Sequence, residues 1–402
     1  MALLHAPAPT ALETGHDAAA WDHRLALAGS RLHPWLAYRL ELLGMLDGLP
    51  ITTREHLRSA ARASAVTELR RRRLFTDCVD ALNEAEVPVV VLKGMALSCT
   101  VYPVPATRTM SDIDLWVEPD RFLDARRVLS PLGWRTPERH AVHALGPSDT
   151  RMLELPGSAV LLEVHVEPLS ISRDRSGYAL VWRRCETRTI AGRSVRMLCL
   201  ADQLAHLALH TGRKHGFSDG LRGLLDLTLT ARQVSDAAAW QAIGMQHQAE
   251  RVALWGSLSL ALARDLLHAP VPEEYFLAAN VAAPTPAIIG AVHDQLWDRR
   301  ASPTHGVNWI LSGTAGGSGR ALLFYIKGFY GARGADGRPW WRALAGRIRY
   351  DISHRFGRYL RAFRRGEFRR ARLAHGARIL RERAQLVAAV EAQDPNGRSR
   401  AT

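Results

Sequence analysis

The chain has 402 residues, 47% of them hydrophobic and 23% charged, a composition that excludes wholesale disorder and allows two or three globular domains. Its formal net charge is +14 at pH 7, and most of that excess lies near the end. Residues 342–383 hold fourteen arginines against Asp351, Glu367 and Glu382, which gives this segment a charge of +11. The rest of the chain is nearly neutral, so net charge alone does not predict a nucleic-acid partner.

The sequence lacks the patterns of membrane, secreted and zinc-finger proteins. No apolar run approaches the ~18 residues that a membrane span needs. The first 21 residues lack a basic segment followed by an apolar one. The four cysteines form no CxxC pair and no zinc-finger spacing. We therefore expect reduced structural thiols in a cytoplasmic protein.

The first predicted elements are helices. Apolar residues at three- and four-residue spacing predict two helical stretches across residues 20–75. Thr52 or Thr53 is the predicted cap of the second stretch, with Glu55 in its first turn. The arginine run at residues 70–73 is typical of a solvated helix face, with a nucleic-acid contact as the alternative interpretation.

Short strands follow the helices. Residues 87–92, VPVVVL, form a β-branched run that favours a buried strand, and Lys93-Gly94 is the predicted turn after it. A short helix and a proline-containing loop are expected next. The second strand is predicted in DIDLWV, residues 112–117.

An amphipathic helix and further short strands complete the strand-rich part. The helix is predicted at residues 119–134, with Leu123, Val128 and Leu132 on its apolar side. A β-hairpin or two adjacent strands are expected around Pro156-Gly157, and another pair of short strands around Ala191-Gly192.

From residue 200 the spacing of apolar residues is helical again. Four prolines within residues 268–287 indicate a boundary or hinge, and the glycine-rich residues 313–320 lack the Gly-Lys-Ser/Thr ending of a P-loop. The predicted division is a helical N-terminal region (1–80), a core (81–200), a helical segment packing on the core (201–268) and a helical, arginine-rich C-terminal region (269–402).

Two aspartates stand two residues apart in the predicted strand DIDLWV. Side chains at such positions share one face of a strand, roughly 6.6–7 Å apart along it. Two ionised carboxylates there repel each other and resist burial. A divalent cation removes this difficulty because it supplies countercharge, and Mg²⁺ commonly takes one or two carboxylates. Asp112 and Asp114 are therefore candidate metal ligands; an exposed strand end or a turn cap is the alternative.

A third acid lies on another predicted strand, SAVLLEVHVE. Glu163, His165 and Glu167 share one of its faces by the same alternation. If this strand pairs with DIDLWV, Glu163 completes a metal site and can act as base toward an attacking hydroxyl.

These motifs together resemble the nucleotidyltransferase family with the DNA polymerase β-type fold. The most specific stretch, LKGMALSCTVYPVPATRTMSDIDLWVE, has a Lys-Gly turn, an arginine and a Ser-x-Asp-Ile-Asp strand. It is similar to a bacterial branch that resembles AbiEii-type toxins. LLEVHVE resembles the acid-x-His strand of that branch, and the helical residues 198–227 resemble its downstream segment.

The resemblance implies an α+β protein, with a small mixed β-sheet core flanked by large helical N- and C-terminal regions. It implies Mg²⁺, with two ions possible, and transfer of a nucleoside monophosphate from a nucleoside triphosphate such as ATP. Asp112 and Asp114 would be catalytic metal ligands and Glu163 the third acid.

The resemblance also implies where the nucleotide binds. Gly94 would approach the triphosphate, but Met95 follows it where the family pattern has serine. Lys93, Arg108, Ser111 and Lys214 are then the predicted further contacts, with Arg213 an additional candidate cation.

Several helical residues after position 200 have two interpretations. His206, His210 and His215 invite a metal interpretation, but the acid of a HExxH motif is missing, which favours structural or substrate-pocket histidines. Asp226 is the predicted partner of Arg222 or Lys214.

The leading functional hypothesis is therefore a magnesium-dependent nucleotidyltransferase with a non-templated acceptor: a small molecule, a peptide, a protein or an RNA. One alternative is an RNA-binding protein with a weak or dead catalytic core that binds RNA through Arg342–Arg383. Another is an AbiEii-like toxin that modifies tRNA.

Overall fold

The computed structural model of the protein describes residues 18–136, 150–166, 175–215, 217 and 220–281. In this part of the chain one mixed sheet is flanked by helices, as the sequence predicts. The strands are β1 (Val90–Val91), β2 (Asp112–Trp116), β3 (Thr150–Glu154), β4 (Leu161–His165), β5 (Glu186–Ile190) and β6 (Arg193–Met197).

The helices surround this sheet in sequence and in space. The α-helices are α1 (Ala18–Ala28), α2 (His33–Leu42), α3 (Ile51–Glu84), α4 (Lys93–Thr100), α5 (Phe122–Leu129), α6 (Arg175–Arg184), α7 (Leu200–Ala208), α8 (Leu221–Ala231), α9 (Ala237–Ala249), α10 (Ala253–Leu267) and α11 (Glu273–Ala279). Short 3₁₀ helices cover Ser30–Leu32, Pro105–Thr107, Pro119–Arg121 and Ser130–Leu132, and a π-helical turn covers Leu209–Lys214.

The order of the strands places the acidic strands side by side. The sheet runs β3-β4-β2-β1-β6-β5, and β2 pairs with β4 in parallel. In that register Asp114 lies opposite Glu163. β3 with β4 and β5 with β6 are antiparallel pairs, so the strands expected around Pro156-Gly157 and Ala191-Gly192 are confirmed. The pairing of DIDLW with LLEVH, on which the metal-site hypothesis depended, is observed.

The alternation along β2 divides its side chains between two cores. Ile113 and Leu115 belong to a hydrophobic cluster that also contains Phe75 of α3 and Leu129 of α5. Trp116 lies in a different cluster, with Leu209 of the π-helical turn. Because residues two apart share a face, Asp112 and Asp114 project to the side of Trp116, where the helices after residue 200 pack.

A third cluster joins helices from distant parts of the sequence. Leu36 and Leu40 of α2 share it with Leu224 of α8 and Leu260 of α10. The N-terminal helices therefore pack against the helices that follow the sheet. The predicted domain boundaries stay a prediction.

The start of α3 differs from the prediction. The helix begins at Ile51, directly after Pro50, and no side chain caps it. Thr53 is fully buried instead. Because the helix already begins at Ile51, Thr52 and Thr53 lie within its first turn and neither occupies the cap position. Lys93 and Gly94 likewise form the first residues of α4, not a turn before it.

Two predicted faces are partly wrong. Within the arginine run, Arg73 is exposed, but Arg71 is buried and bonds to Glu68 and to the carbonyl of Met110. In α5 the buried residues are Ala125 and Leu129, while Leu123 is 55% exposed. Ala125 and Leu129 belong to the apolar cluster that also contains Phe75 of α3, a choice of face that hydrophobicity alone did not reveal.

Several expectations lie outside the described residues: the N-terminal tail, the glycine-rich loop at 313–320 and the arginine-rich segment at 342–383. Among the helices that the structure describes, none combines the length and apolarity of a membrane span.

The corrected face of α5 predicts a contrast between two leucines. Leu129→Ala should lower the free energy of unfolding by about 2–5 kcal/mol because it empties a filled core site. Leu123→Ala should change it by less than about 0.5 kcal/mol, as exposed substitutions do. Chemical denaturation of both variants checks this, and equal losses would contradict the assigned face.

Candidate active site

A cavity of about 220 Å³ opens on the face of the sheet that carries the aspartates. All eight predicted site residues line it: Lys93, Gly94, Arg108, Ser111, Asp112, Asp114, Glu163 and Lys214. Arg31, His210, His215 and Arg222 also line it. Residues from the N-terminal helices, the sheet and the later helices thus meet at one place. Arg213, the additional candidate cation, does not line this cavity.

The centre of the site is the buried carboxylate of Asp114. Lys93 Nζ donates to Asp114 Oδ1 over 2.6 Å, and His165 Nε2 lies 2.8 Å from the same oxygen. The same Lys93 nitrogen is 4.0 Å from Glu163 Oε2. One ammonium group therefore lies between two acids of adjacent strands.

The three acids differ in how their charge is held. Burial alone would raise the pKa of Asp114, but Lys93 and His165 hold it well below its usual value. Burial and the charge of Asp114 raise the pKa of Asp112 and of Glu163. The carboxylate of Asp114 is thus ionised. The negative charges of Asp112 and Glu163 are only partly compensated by neighbouring cations.

His165 also belongs to this site, although the sequence pattern predicted no role for it there. Burial and the adjacent Lys93 lower its pKa to about 4, so the ring is neutral near pH 7. The neutral ring donates its Nε2 hydrogen to the ionised Asp114. The pattern did contain the clue, because His165 shares a strand face with Glu163.

Lys93 reaches this position with an uncommon backbone conformation. Its φ of 37° falls in the left-handed region, which costs residues other than glycine about 1–3 kcal/mol. Its side chain is nearly fully buried and bonds to Asp114. Such strain is typical of functional positions, where surrounding contacts fix the side chain.

Two side chains approach the backbone closely at Gly94. A Cβ atom at this position would come within 2.7 Å of Met110 Sδ and 3.2 Å of Arg108 Nη1. Glycine therefore lets the guanidinium of Arg108 lie directly against the first turn of α4. Met95, by contrast, is fully buried in the core and does not line the cavity, while the hydroxyl-bearing Ser111 does.

Asp226 has a different partner from the predicted one. Both its oxygens accept from Arg108, whose Nε and Nη2 lie 2.9 and 2.8 Å away. Arg222, one turn earlier in α8, donates to the carbonyl of Thr109. The prediction that Asp226 pairs with Arg222 or Lys214 is therefore wrong: the loop before β2 folds back onto α8 and brings Arg108 to this acid.

The π-helical turn brings further polar side chains to the cavity. It carries His210 and Lys214, and His215 follows directly. Nε2 of His210 lies 3.2 Å from Nε2 of His215. A π-helical turn widens the helix by one residue and is frequent at functional sites. Two of the three histidines thus belong to the pocket, while His206 is buried behind it.

The donor atoms at the centre suit a divalent cation. One ligand atom each from Asp114, Glu163 and His165 lies within 4.8 Å of the others. Among the described residues no hydrogen bond to the second carboxylate oxygen of Asp114 is seen, and Asp112 lines the same cavity outside this cluster. Carboxylate oxygens are the ligands that Mg²⁺ and Mn²⁺ prefer, whereas the imidazole bonded to Asp114 fits the role of orienting that ligand.

Comparison with solved structures gives partial similarities only. A solution structure of the antibiotic-resistance factor ANT(2'')-Ia is 18% identical, with a TM-score of 0.36, over 46% of this chain and 96% of that chain. A crystal structure of ANT(2'')-Ia in complex with adenylyl-2''-tobramycin is 17% identical, with a TM-score of 0.33, over 48% and 98%. Similarity at this level carries no argument about the site. No curated protein matches the chain.

Comparison with protein families gives a firm result. The family model described as "Uncharacterised nucleotidyltransferase" matches residues 17–268, which is more than half of the chain. The matched span contains every residue that lines the cavity. The chain therefore belongs to this family of nucleotidyltransferases, enzymes that transfer a nucleoside monophosphate group.

Proposed function

We propose that this enzyme transfers a nucleoside monophosphate from an NTP to a non-templated acceptor, with Mg²⁺ bound at Asp112, Asp114 and Glu163. The observation that carries the proposal is that three acids and several cations face one cavity within the span of a nucleotidyltransferase family. One or two ions fit this proposal. ATP is the first NTP to test.

The metal part of the proposal is supported by the imbalance of charge among the acids. Asp112 and Glu163 are half-buried beside the ionised Asp114. A bound divalent cation supplies countercharge to these carboxylates and to the phosphates. His165 holds Asp114 in place, and Lys93 lies near enough to contact a phosphate bound at the acids.

The nucleotide part is supported by the cations and the small residue at the cavity. Lys93, Arg108 and Lys214 supply hydrogen-bond donors around the place where a triphosphate would lie. Gly94 leaves room for the guanidinium of Arg108 against the start of α4, so that this group lines the cavity. Ser111 offers a hydroxyl in the cavity, a role for which Met95 is unsuitable because it is buried in the core.

The reaction that follows from this arrangement is an in-line displacement at the α-phosphorus. The acceptor oxygen forms a bond to that phosphorus, the bond to the bridging oxygen breaks, and pyrophosphate leaves. Glu163 accepts the proton that the acceptor oxygen loses. Lys93 and Lys214 stabilise the charge on the departing pyrophosphate.

The class of acceptor stays open within this proposal. The helical parts that surround the cavity are the natural place for its recognition, since Arg31, His210 and His215 face the cavity from them. RNA binding through Arg342–Arg383 concerns residues outside the described part of the chain. The likeness to AbiEii-type toxins and a bacterial origin also stay predictions.

Replacement of a central acid should abolish transfer. Incubation with each α-labelled NTP, Mg²⁺ and a cell lysate should label one fraction, and that fraction identifies the acceptor class. Asp114→Asn should reduce labelling about 100-fold or more, because the metal and Lys93 lose their shared anion. Chelation of the metal should give the same loss.

Asp80→Asn is the matched control for this experiment. Asp80 pairs with Arg193 at the surface of the protein and lies away from the cavity. This variant should label its acceptor as well as the wild type does. Labelling by Asp114→Asn at the wild-type rate would refute the catalytic assignment.

The two aspartates of β2 should have opposite effects on stability in the presence of a chelator. Asp114→Asn should lower the free energy of unfolding by about 3 kcal/mol, because it leaves the buried Lys93 ammonium without its closest anion. Asp112→Asn should raise the unfolding temperature, because it removes a charge that Asp114 repels.

Thermal unfolding of the two variants and the wild type measures this contrast. Addition of Mg²⁺ should then stabilise the wild type more than Asp112→Asn, which lacks one proposed ligand. Destabilisation by Asp112→Asn in the chelator, or equal stabilisation of both proteins by Mg²⁺, would argue against Asp112 as a ligand.

A further inference from the structure

The guanidinium of Arg108 is held by a buried network that reaches into α8. Its Nε donates to Asp226 Oδ1 and its Nη2 donates to Asp226 Oδ2. The hydroxyl of Tyr102 also donates to Oδ1, over 2.7 Å. All three side chains are almost completely buried. Asp226 is 118 residues from Arg108, so the later helices and the loop before β2 meet here.

This network determines which part of Arg108 faces the cavity. A planar guanidinium with Nε and Nη2 fixed on one carboxylate has a single possible orientation. Its remaining nitrogen, Nη1, lies against Gly94, where a Cβ atom would come within 3.2 Å of it. Arg108 and Gly94 both line the cavity. Nη1 is thus the part of the group that can reach a ligand at the start of α4.

The charges in the network keep both Arg108 and the hydroxyl of Tyr102 protonated. Burial alone would lower the pKa of Arg108, but the carboxylate of Asp226 raises it above its usual value. Burial and the same carboxylate raise the pKa of Tyr102, so its hydroxyl stays a donor. Since Asp226 neutralises Arg108, the pair adds directed hydrogen bonds to the cavity with little net charge.

We propose that Asp226 and Tyr102 are positioning residues, which hold Arg108 so that its Nη1 donates to a phosphate of the bound NTP. The inference rests on the proposed function and deepens it. It makes α8 part of the nucleotide site, although Asp226 itself does not line the cavity. Without this carboxylate the guanidinium would rotate or withdraw, and the phosphate contact would weaken.

A second arginine–carboxylate pair, in which the carboxylate is buried and Arg184 is partly exposed, provides a control. Arg184 donates to both oxygens of Asp202, over 2.9 and 2.6 Å, and Asp202 is fully buried. Gln246 donates to the same carboxylate. None of these three residues lines the cavity. Loss of this pair should affect stability without affecting a nucleotide contact.

A double-mutant cycle on nucleotide binding tests the proposal. The affinity of the full-length protein for Mg²⁺ with non-hydrolysable analogues of the four NTPs is measured by calorimetry. The analogue that the wild type binds most tightly is then used for the variants, with thermal unfolding recorded for each. Arg108→Gln and Asp226→Asn should each weaken binding about tenfold. Adding Asp226→Asn to Arg108→Gln should weaken it less than about twofold further, because Asp226 acts through Arg108.

Two single variants separate positioning from general stability. Tyr102→Phe removes one hydroxyl but keeps the ion pair, and should weaken binding about threefold, the loss of roughly one partial hydrogen bond. It gives a result even if Asp226→Asn does not fold. Asp202→Asn should lower the unfolding temperature and leave the affinity at the wild-type value.

The possible contrary results are distinct. If the wild type binds the analogue and the effects of Arg108→Gln and Asp226→Asn multiply, Asp226 does not act through Arg108. The inference is also overturned if Arg108→Gln binds the analogue as tightly as the wild type does, or if the single variants Tyr102→Phe and Asp226→Asn both do. The proposed function is unaffected by these results. If the wild type binds none of the four NTPs, the proposed function fails and the inference fails with it.

Discussion

The contact between Lys93 and Asp114 is the interaction on which the site depends. Asp114 lies in a central strand, where an ionised carboxylate is costly unless a partner compensates it. The ammonium of Lys93, 2.6 Å away, provides that compensation and fixes a backbone conformation that lysine rarely adopts. Because Asp114 is already neutralised, the excess negative charge of the site belongs to Asp112 and Glu163.

The fold brings these acids together through one strand pairing. β2 and β4 are parallel neighbours, and their register sets Asp114 beside Glu163. A shift of one residue in either strand would turn one acid to the opposite face, into the apolar cluster of Ile113 and Leu115. That cluster therefore protects the geometry of the site, since the register that fills the core is the register that assembles the acids.

The helices after the sheet supply further residues of the cavity. The π-helical turn supplies His210 and Lys214, and α8 supplies Arg222 directly and Asp226 through Arg108. Helices α7 and α8 share one hydrophobic core with α2, so the N-terminal helices help to hold them in place. The cavity thus depends on packing between segments that lie far apart in the chain.

The sequence by itself predicted most of the elements and the residues that meet at the cavity. Alternation placed Asp112 and Asp114 on one face, the apolar runs predicted β2 and β4, and the eight predicted site residues do line one cavity. Only the tertiary structure decided the partners: His165 on Asp114, Arg108 on Asp226, and the buried side of α5. Local periodicity reports which face a residue occupies, whereas a contact between residues 51 or 118 positions apart follows from how whole elements pack.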